Sequence, residues 1–290
     1  RDKFSNIDLP AVRRRFAEGI LRIGIGGGVP GVGREAPGAG PERGKRSVVC
    51  RNASGAAGIG GNYFSRGSCR CVGDRLLDKG RARWQFLDVL SSKLEKLREL
   101  LASFDSCMVA YSGGVDSALL AYLAHKTLGD RAIAAIADSP SLPRREFTEA
   151  VALANQFEFP LEIVRTREFE NEEYLSNPIN RCFFCKHELF TELEPLARER
   201  GCKVIAYGEN ASDIGDHRPG AKAAAEFEVR APLKEVGLSK DEIRELSAQF
   251  GLPTASKPQL ACLSSRIPYG ERVTPEKLRM IEEAEDFLRD

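Results

Sequence analysis

The chain has 290 residues, 42% of them hydrophobic, and a formal net charge of +1, which supplies apolar material for one large or two modest cores. No apolar run approaches the roughly eighteen residues that a membrane-spanning helix needs, which excludes an integral helical membrane protein. The near-zero charge conceals a split. Residues 1–83 hold 17 Lys+Arg against 7 Asp+Glu, whereas residues 84–290 hold 26 against 35.

Residues 1–83 carry 17 of the 27 glycines, two Pro-Gly steps, the run Arg13-Arg14-Arg15 and almost no hydrophobic period. They read as a mostly disordered leader. Gly26, Gly28 and Gly31 form a G-x-G-x-x-G match, but Pro30 interrupts it and no helical pattern follows, so it reads as chance. An arginine-rich, acid-poor leader is compatible with an organellar presequence, and equally with an incomplete or over-extended reading frame, since the chain opens on Arg1. Cys50, Cys69 and Cys71 lie here and are left out of any site.

At Trp84 the character changes. Phe86, Leu87, Leu90, Leu94, Leu97, Leu100 and Leu101 fall at helical spacing. A buried strand follows, Met108 to Tyr111, then a glycine turn and a helix through Ala118–Leu128. The pattern then predicts a strand over Ala132–Ala137, a helix over Arg144–Phe157 after Pro143, a strand over Leu161–Arg165, a helix from about Cys182 to Arg200, and a strand over Lys203–Tyr207. Strands alternating with helices predict an α/β fold, a doubly wound parallel sheet with ligands at the carboxyl ends of its strands. Residues 208–220 are too polar and glycine-punctuated to form an element, and read as a loop at such an end. Ser239-x-x-Glu242 is a capping box opening an amphipathic helix to Phe250, with a structural role. Thr274-Pro275 opens another that runs to Asp290. Its charged, half-amphipathic end suggests that a C-terminal portion is missing. The expected organisation is a leader over 1–83, a nucleotide domain over 84–230 and the start of a smaller, truncated C-terminal domain over 231–290.

The strand-to-helix turn, Ser112-Gly113-Gly114-Val115-Asp116-Ser117, carries the chemistry. Two glycines remove the Cβ atoms that hold a phosphate off the backbone, and the helix start adds its positive end. Ser112 and Ser117 supply hydroxyls, and the loop has no lysine of the Walker type. Asp116 beside a polyphosphate requires a cation between them, so the motif implies magnesium as well as ATP. The plain alternative is a glycine turn with Asp116 near a helix cap. Downstream, Glu209, Asp213 and Asp216 are further candidates for magnesium and Arg218 for an anion, with a solvated turn as the alternative. Arg144 and Arg145 approach ATP or simply start a solvated helix.

The cysteines form a second constellation. Cys182 and Cys185 stand three apart at a helix start, on one face, where the dipole favours thiolates. Cys262 lies far downstream beside Ser264, Ser265 and Arg266, which suit a phosphate. Three thiolates can bind a 4Fe-4S cluster and leave one iron open. Zinc with His187 as fourth ligand and a Cys182–Cys185 redox disulfide are the other readings. Cys107 and Cys202 sit beside strands and read as core residues.

Taken together, SGGVDS, DSPSLPRREF (138–147), NPINRCFFCKHELF (177–190), GENASDIGDHRPG (208–220) and CLSSRIPYG (262–270) resemble, in order, the ATP-dependent sulfur transferases called LarE, within the PP-loop N-type ATP pyrophosphatases. The resemblance covers roughly residues 86–290. It implies that ATP adenylylates a carboxylate of a pyridinium-dicarboxylate mononucleotide, releasing pyrophosphate. Sulfur then displaces AMP to leave a thiocarboxylate, a step in nickel-pincer nucleotide biosynthesis. Members with a lone cysteine matching Cys262 sacrifice its sulfur and become dehydroalanine, whereas members matching Cys182, Cys185 and Cys262 are expected to use a 4Fe-4S cluster. The resemblance assigns Ala110, Ser112, Gly113, Gly114, Asp116 and Ser117, with Asp138 and Ser139 at the second strand's end, to ATP and magnesium. It assigns Arg218, Ser264, Ser265 and Arg266 to the substrate, and Cys262 and Asp116 to catalysis. The expected setting is cytoplasmic, as a homo-oligomer working with the other enzymes of that route. The acidic balance of 84–290 gives no sign of a nucleic-acid surface. Amidation of the NAD- or GMP-synthetase kind, tRNA thiolation, and a zinc-stabilised ATP-binding protein are the alternatives.

Overall fold

The computed structural model describes residues 72–213 and 219–289, with backbone alone for 72–84. These residues fall within one compact unit, Ser68–Asp290. The leader up to residue 71, and Asp216, His217 and Arg218, lie outside the described residues.

The helices are α1 (Val72–Ser103), α2 (Val115–Leu128), α3 (Arg144–Gln156), α4 (Glu172–Leu175), α5 (Arg181–Glu199), α6 (Pro219–Glu226), α7 (Pro232–Glu235), α8 (Lys240–Gln249) and α9 (Pro275–Arg289). Among the described residues four strands, β1 (Cys107–Tyr111), β2 (Ala132–Asp138), β3 (Leu161–Arg165) and β4 (Val204–Tyr207), make one parallel sheet in the order β3-β2-β1-β4. The register sets Cys107 beside both Ala132 and Val204. The expected doubly wound α/β architecture is therefore present.

Successive strand side chains point to opposite faces, and both faces are covered. Val109, Tyr111, Ala134 and Ile136 pack with Leu97, Leu101, Leu119, Leu123, Leu153 and Ile243, from α1, α2, α3 and α8. Met108, Ala135, Val164 and Tyr207 pack with Phe190, Leu193, Ala223 and Ala224, from α5 and α6. A third cluster joins Tyr174 and Leu175 of α4 to Leu263, Ile267, Val273 and Leu278. Lys93 ties α1 to α8 through Glu242 at 2.7 Å and the Gly237 carbonyl at 2.7 Å. Among the described residues, no helix is long and apolar enough to cross a membrane.

Several elements differ from expectation. The first helix opens at Val72, upstream of the compositional break at Trp84, because the Leu, Arg and Ala of that stretch are good helix formers whatever their net charge. The 208–220 segment is not wholly irregular: a 3-10 turn spans Ala211–Asp213, and α6 begins at Pro219. Proline at a first helical position has no N–H to leave unpaired, and the alanine run after it buries Ala223 and Ala224. The four-residue helices α4 and α7 are too short to show a hydrophobic period.

Candidate functional site

Chain direction across the sheet reverses beside β1: β2 and β3 lie on one side and β4 on the other. The chain leaves β1 towards α2 on one face and returns from α5 to β4 on the other, which opens a crevice at the strands' carboxyl ends. A cleft of about 190 Å³ lies there, floored by Ala110, Tyr111, Tyr207 and Gly208. Ser112, Asp116 and Ser117 form one wall, and Lys186, Leu189, Phe190 and Ala221 the other.

Local sterics explain the glycines. Gly113 has φ +72°, and a Cβ there would sit 2.6 Å from the Ala150 Cβ, so both backbone and neighbour demand glycine. Gly114 caps α2 with no side-chain hydrogen bond, which leaves the first helical amides for an anion. The hydroxyls of Ser112 and Ser117 lie 3.1 Å apart, and the Ser112 amide donates to Ser117 Oγ at 3.1 Å, so these side chains hold the loop's shape. Gly208 lies so close that a Cβ would be 2.8 Å from the Ser117 amide nitrogen. The start of α2 and the end of β4 thus touch backbone to backbone.

Asp116 is reached from two other elements. Asn210, 1% exposed, donates to Oδ1 at 3.1 Å, and Lys240 Nζ lies 2.5 Å from Oδ2. Sequence reasoning missed both partners. A lysine in the first turn of a helix opposes the helix dipole, and that misfit was the available signal for Lys240. Glu209 and Asp213, candidates for magnesium, are otherwise engaged: Glu209 accepts from Tyr207 Oη and from Lys234 at 3.0 Å, and Asp213 from the Asn210 amide at 3.1 Å. Burial works against the charged Glu209, but Tyr207, Lys234 and Lys186 outweigh it and hold its pKa below the ordinary value. Lys186 itself lies over the Tyr207 ring at 4.6 Å.

Asp138 ends β2, which lies beside β1, and Ser139 follows it. Asp138 binds Arg144 Nη1 at 2.5 Å, and Arg144 also donates to the Ser139 and Leu142 carbonyls. Ser139 Oγ donates to buried Glu168, whose other oxygen has no partner. Arg145 pairs with Glu149 on its own helix, the solvated arrangement.

The second motif group is held together by hydrogen bonds. Asn177 is fully buried with φ +54°, and its Nδ2 donates to the Pro268 carbonyl at 2.8 Å and the Ile267 carbonyl at 3.2 Å, while its own carbonyl accepts from the Gly270 amide at 2.9 Å. Arg181 donates to the Ser264 carbonyl at 2.8 Å and to Asn177 Oδ1, and Tyr174 Oη lies 2.8 Å from Ser264 Oγ. These bonds fasten the Cys262 loop to the start of α5, where Cys182 is exposed and Cys185 half-buried.

Two of these thiols, Cys185 and Cys262, are shifted by their surroundings. Burial pushes the Cys185 thiol up, with Glu168, Cys262 and Cys182 adding and Arg181 opposing. Burial likewise raises Cys262, against Arg181 and the Ser265 and Ser264 amides. Among the described residues, no three His, Cys, Asp or Glu side chains converge as a single metal ion requires. His187 packs against Phe183 and Phe227, at 5.7 and 5.0 Å between ring centres. Ser264 is fully buried, Ser265 Oγ bonds the Cys262 carbonyl at 2.6 Å, and Arg266 pairs with Glu285 at 2.7 Å. Cys107 lies in the core, and Cys202 packs against the second cluster.

Known proteins resemble this chain over the region that carries the crevice. Residues 87–212 match the NAD synthase family. An uncharacterised protein of Synechocystis sp. is 47% identical over 201 residues, 69% of this chain and 75% of that protein. The pyridinium-3,5-bisthiocarboxylic acid mononucleotide synthase of Lactiplantibacillus plantarum is 29% identical over 201 residues, 69% and 73% of the two chains. The chain belongs to the LarE/PP-loop superfamily. One polypeptide of the glutamine-hydrolysing GMP synthase of Pyrococcus furiosus, 26% identical over 224 residues and covered over 68% of its length, is a more distant relative of this PP-loop protein. Membership implies use of ATP and magnesium and makes the protein an ATP-using PP-loop enzyme.

Proposed function

We propose that this enzyme is an ATP-dependent sulfur transferase that converts a carboxylate of a pyridinium-dicarboxylate mononucleotide to a thiocarboxylate. The observation that carries the reading is the fastening of Cys262 to the Cys182–Cys185 helix, through Arg181 and Asn177, in the molecule that also holds the PP-loop crevice. An amidating enzyme has no use for that arrangement. The substrate class comes from the name of the L. plantarum relative.

In this reading the open amides at the start of α2 bind the ATP phosphates, and Asp116 would hold magnesium. Lys240, which pairs with Asp116, would turn to the phosphates if Asp116 held magnesium. A substrate carboxylate oxygen attacks the α-phosphorus, and the bond to pyrophosphate breaks, leaving an acyl-adenylate. Carboxylate oxygen is a poor leaving group and AMP a good one, so this step makes the carbonyl open to sulfur. A sulfur nucleophile then attacks the carbonyl carbon, and AMP leaves with the bonding electron pair. Cys182, Cys185 and Cys262 would hold a 4Fe-4S cluster, which supplies an open iron able to carry sulfide. Without it, the Cys262 thiolate attacks the acyl-adenylate and expels AMP, and loss of its Cα proton with breakage of the Cβ–Sγ bond then leaves the thiocarboxylate and dehydroalanine.

The second reading is amidation, favoured by the NAD synthase match and the GMP synthase relatives. Supplying the dicarboxylate mononucleotide with MgATP and either sulfide or ammonia separates the two. Thiocarboxylate with equimolar AMP supports sulfur transfer, and an amide product sinks it.

A further inference from the structure

Lys240 is fixed at its base and reaches Asp116 with its tip. Its amide donates to Ser212 Oγ at 3.0 Å, and the capping box pins the residue before it, the Ser239 amide donating to Glu242 at 2.8 Å. From that anchor the ammonium lies 2.5 Å from Asp116 Oδ2, while Asn210 Nδ2 donates to Oδ1 at 3.1 Å, so both carboxylate oxygens are engaged. The lysine and aspartate side chains keep only 25% and 19% of their exposure, and at that depth salt screens the pair less than it screens a surface one. The other carboxylate lining the crevice among the described residues, Glu209, is closed in the same way, by Tyr207 Oη and by Lys234 at 3.0 Å.

Among the described residues, a divalent cation therefore meets no open carboxylate in the crevice. To reach Asp116 it must displace an ammonium and then tolerate that charge a few ångströms away, on a residue whose backbone is pinned. A polyphosphate removes both obstacles. Its oxygens offer Lys240 another anion within the sweep of a flexible four-carbon stem, and offer the metal the oxygen ligands that one aspartate does not supply.

We propose that Lys240 is a built-in counter-ion that keeps free divalent metal off Asp116, so that magnesium enters this site only together with the nucleotide. This rests on the reading above in which Asp116 would hold magnesium, and adds to it the order in which metal and ATP bind.

The test follows manganous ion, which takes the same oxygen ligands as magnesium, by electron paramagnetic resonance on the full chain. Without nucleotide, wild type and Asp116→Asn should bind manganese alike. Lys240→Met should gain a site at least about tenfold tighter than any in wild type, and adding Asp116→Asn to it should abolish that site. Lys240→Arg, which keeps the charge, should behave as wild type does. With α,β-methylene-ATP present, wild type should hold a manganese ion that Asp116→Asn weakens by about tenfold or more. A nucleotide-free site in wild type that Asp116→Asn abolishes would overturn the proposal without any change at position 240. So would a folded Lys240→Met protein that binds no more manganese than wild type. If Asp116→Asn leaves the nucleotide-bound metal untouched, the reading of Asp116 fails and the proposal falls with it. Sulfur chemistry enters none of these measurements, so each failure is distinguishable from failure of the proposed function.

Discussion

Gly208→Ala probes the contact on which the crevice depends. The added Cβ would lie 2.8 Å from the Ser117 amide nitrogen, 3.1 Å from the Asp116 carbonyl carbon and 3.1 Å from the Asp116 Cβ. Two of these are backbone atoms at the start of a helix buried along one side, and cannot swing away as a side-chain tip does. Relief therefore needs roughly half an ångström of movement between β4 and α2, an overpacking cost of about 2–3 kcal/mol. Lower unfolded-state entropy of alanine offsets about 0.4–1 kcal/mol of it. The net loss of about 1–2.5 kcal/mol corresponds to a fall in Tm of roughly 2–10 °C for a domain of this size. The same movement displaces the phosphate loop, so MgATP-dependent pyrophosphate release should drop about ten- to a hundredfold. Gly129→Ala is the control. There φ is +61° and ψ −138°, a conformation that favours glycine, with nothing within 4 Å of the added atom, so about 1–3 kcal/mol of stability should be lost with catalysis intact. Thermal melts and pyrophosphate release measure both variants. A Gly208→Ala protein with wild-type Tm and wild-type release would refute the backbone contact as the crevice's hinge point.

Asp116→Asn should lower pyrophosphate release at least a hundredfold by removing the metal's anionic ligand, and excess magnesium should not restore it; partial rescue by manganese alone would be consistent, full activity would not. Lys240→Met should weaken MgATP affinity by about tenfold while the melting temperature stays within a few degrees, read by calorimetric titration; unchanged affinity would remove Lys240 from the phosphate site. Glu242 is opposed by burial but held below its ordinary pKa of 4.5 by Lys93 and the Ser239 amide. Its contribution is complete above pH 4.5 and is lost as pH falls through the lower folded value. Wild type should therefore lose more urea stability than Glu242→Gln between pH 6 and pH 3, and parallel pH profiles would discount the bond. Cys182→Ala should lose iron after anaerobic reconstitution, and full retention would exclude that ligand.

The sheet was legible because the apolar runs of the inner strands β1 and β2 are buried on both faces, and because β-strand and helical periods alternate cleanly from Cys107 to Tyr207. The capping box was legible for a local reason: Ser239 and Glu242 satisfy each other's backbone within four residues. Contacts made across the fold left no such mark. Lys240 stands 124 positions from Asp116, and Asn210 stands 94. Neither spacing has a period to betray it, and only the topology brings them together. Arg181 was read as part of a motif flank, since burial of a charged residue is a tertiary fact. The same holds for Asn177, whose left-handed backbone serves a loop 90 residues downstream.

The central claim, that crevice and cysteines serve one reaction, is tested by purifying the full chain without oxygen, measuring iron and acid-labile sulfide, and then supplying MgATP, sulfide and the pyridinium-dicarboxylate mononucleotide. About four irons and four sulfides per chain are expected, set by the cluster type. The expected product has sulfur in place of one carboxylate oxygen, with one AMP and one pyrophosphate formed for each sulfur inserted. Stoichiometric zinc in place of iron, with pyrophosphate released and no sulfur in the product, would contradict the claim.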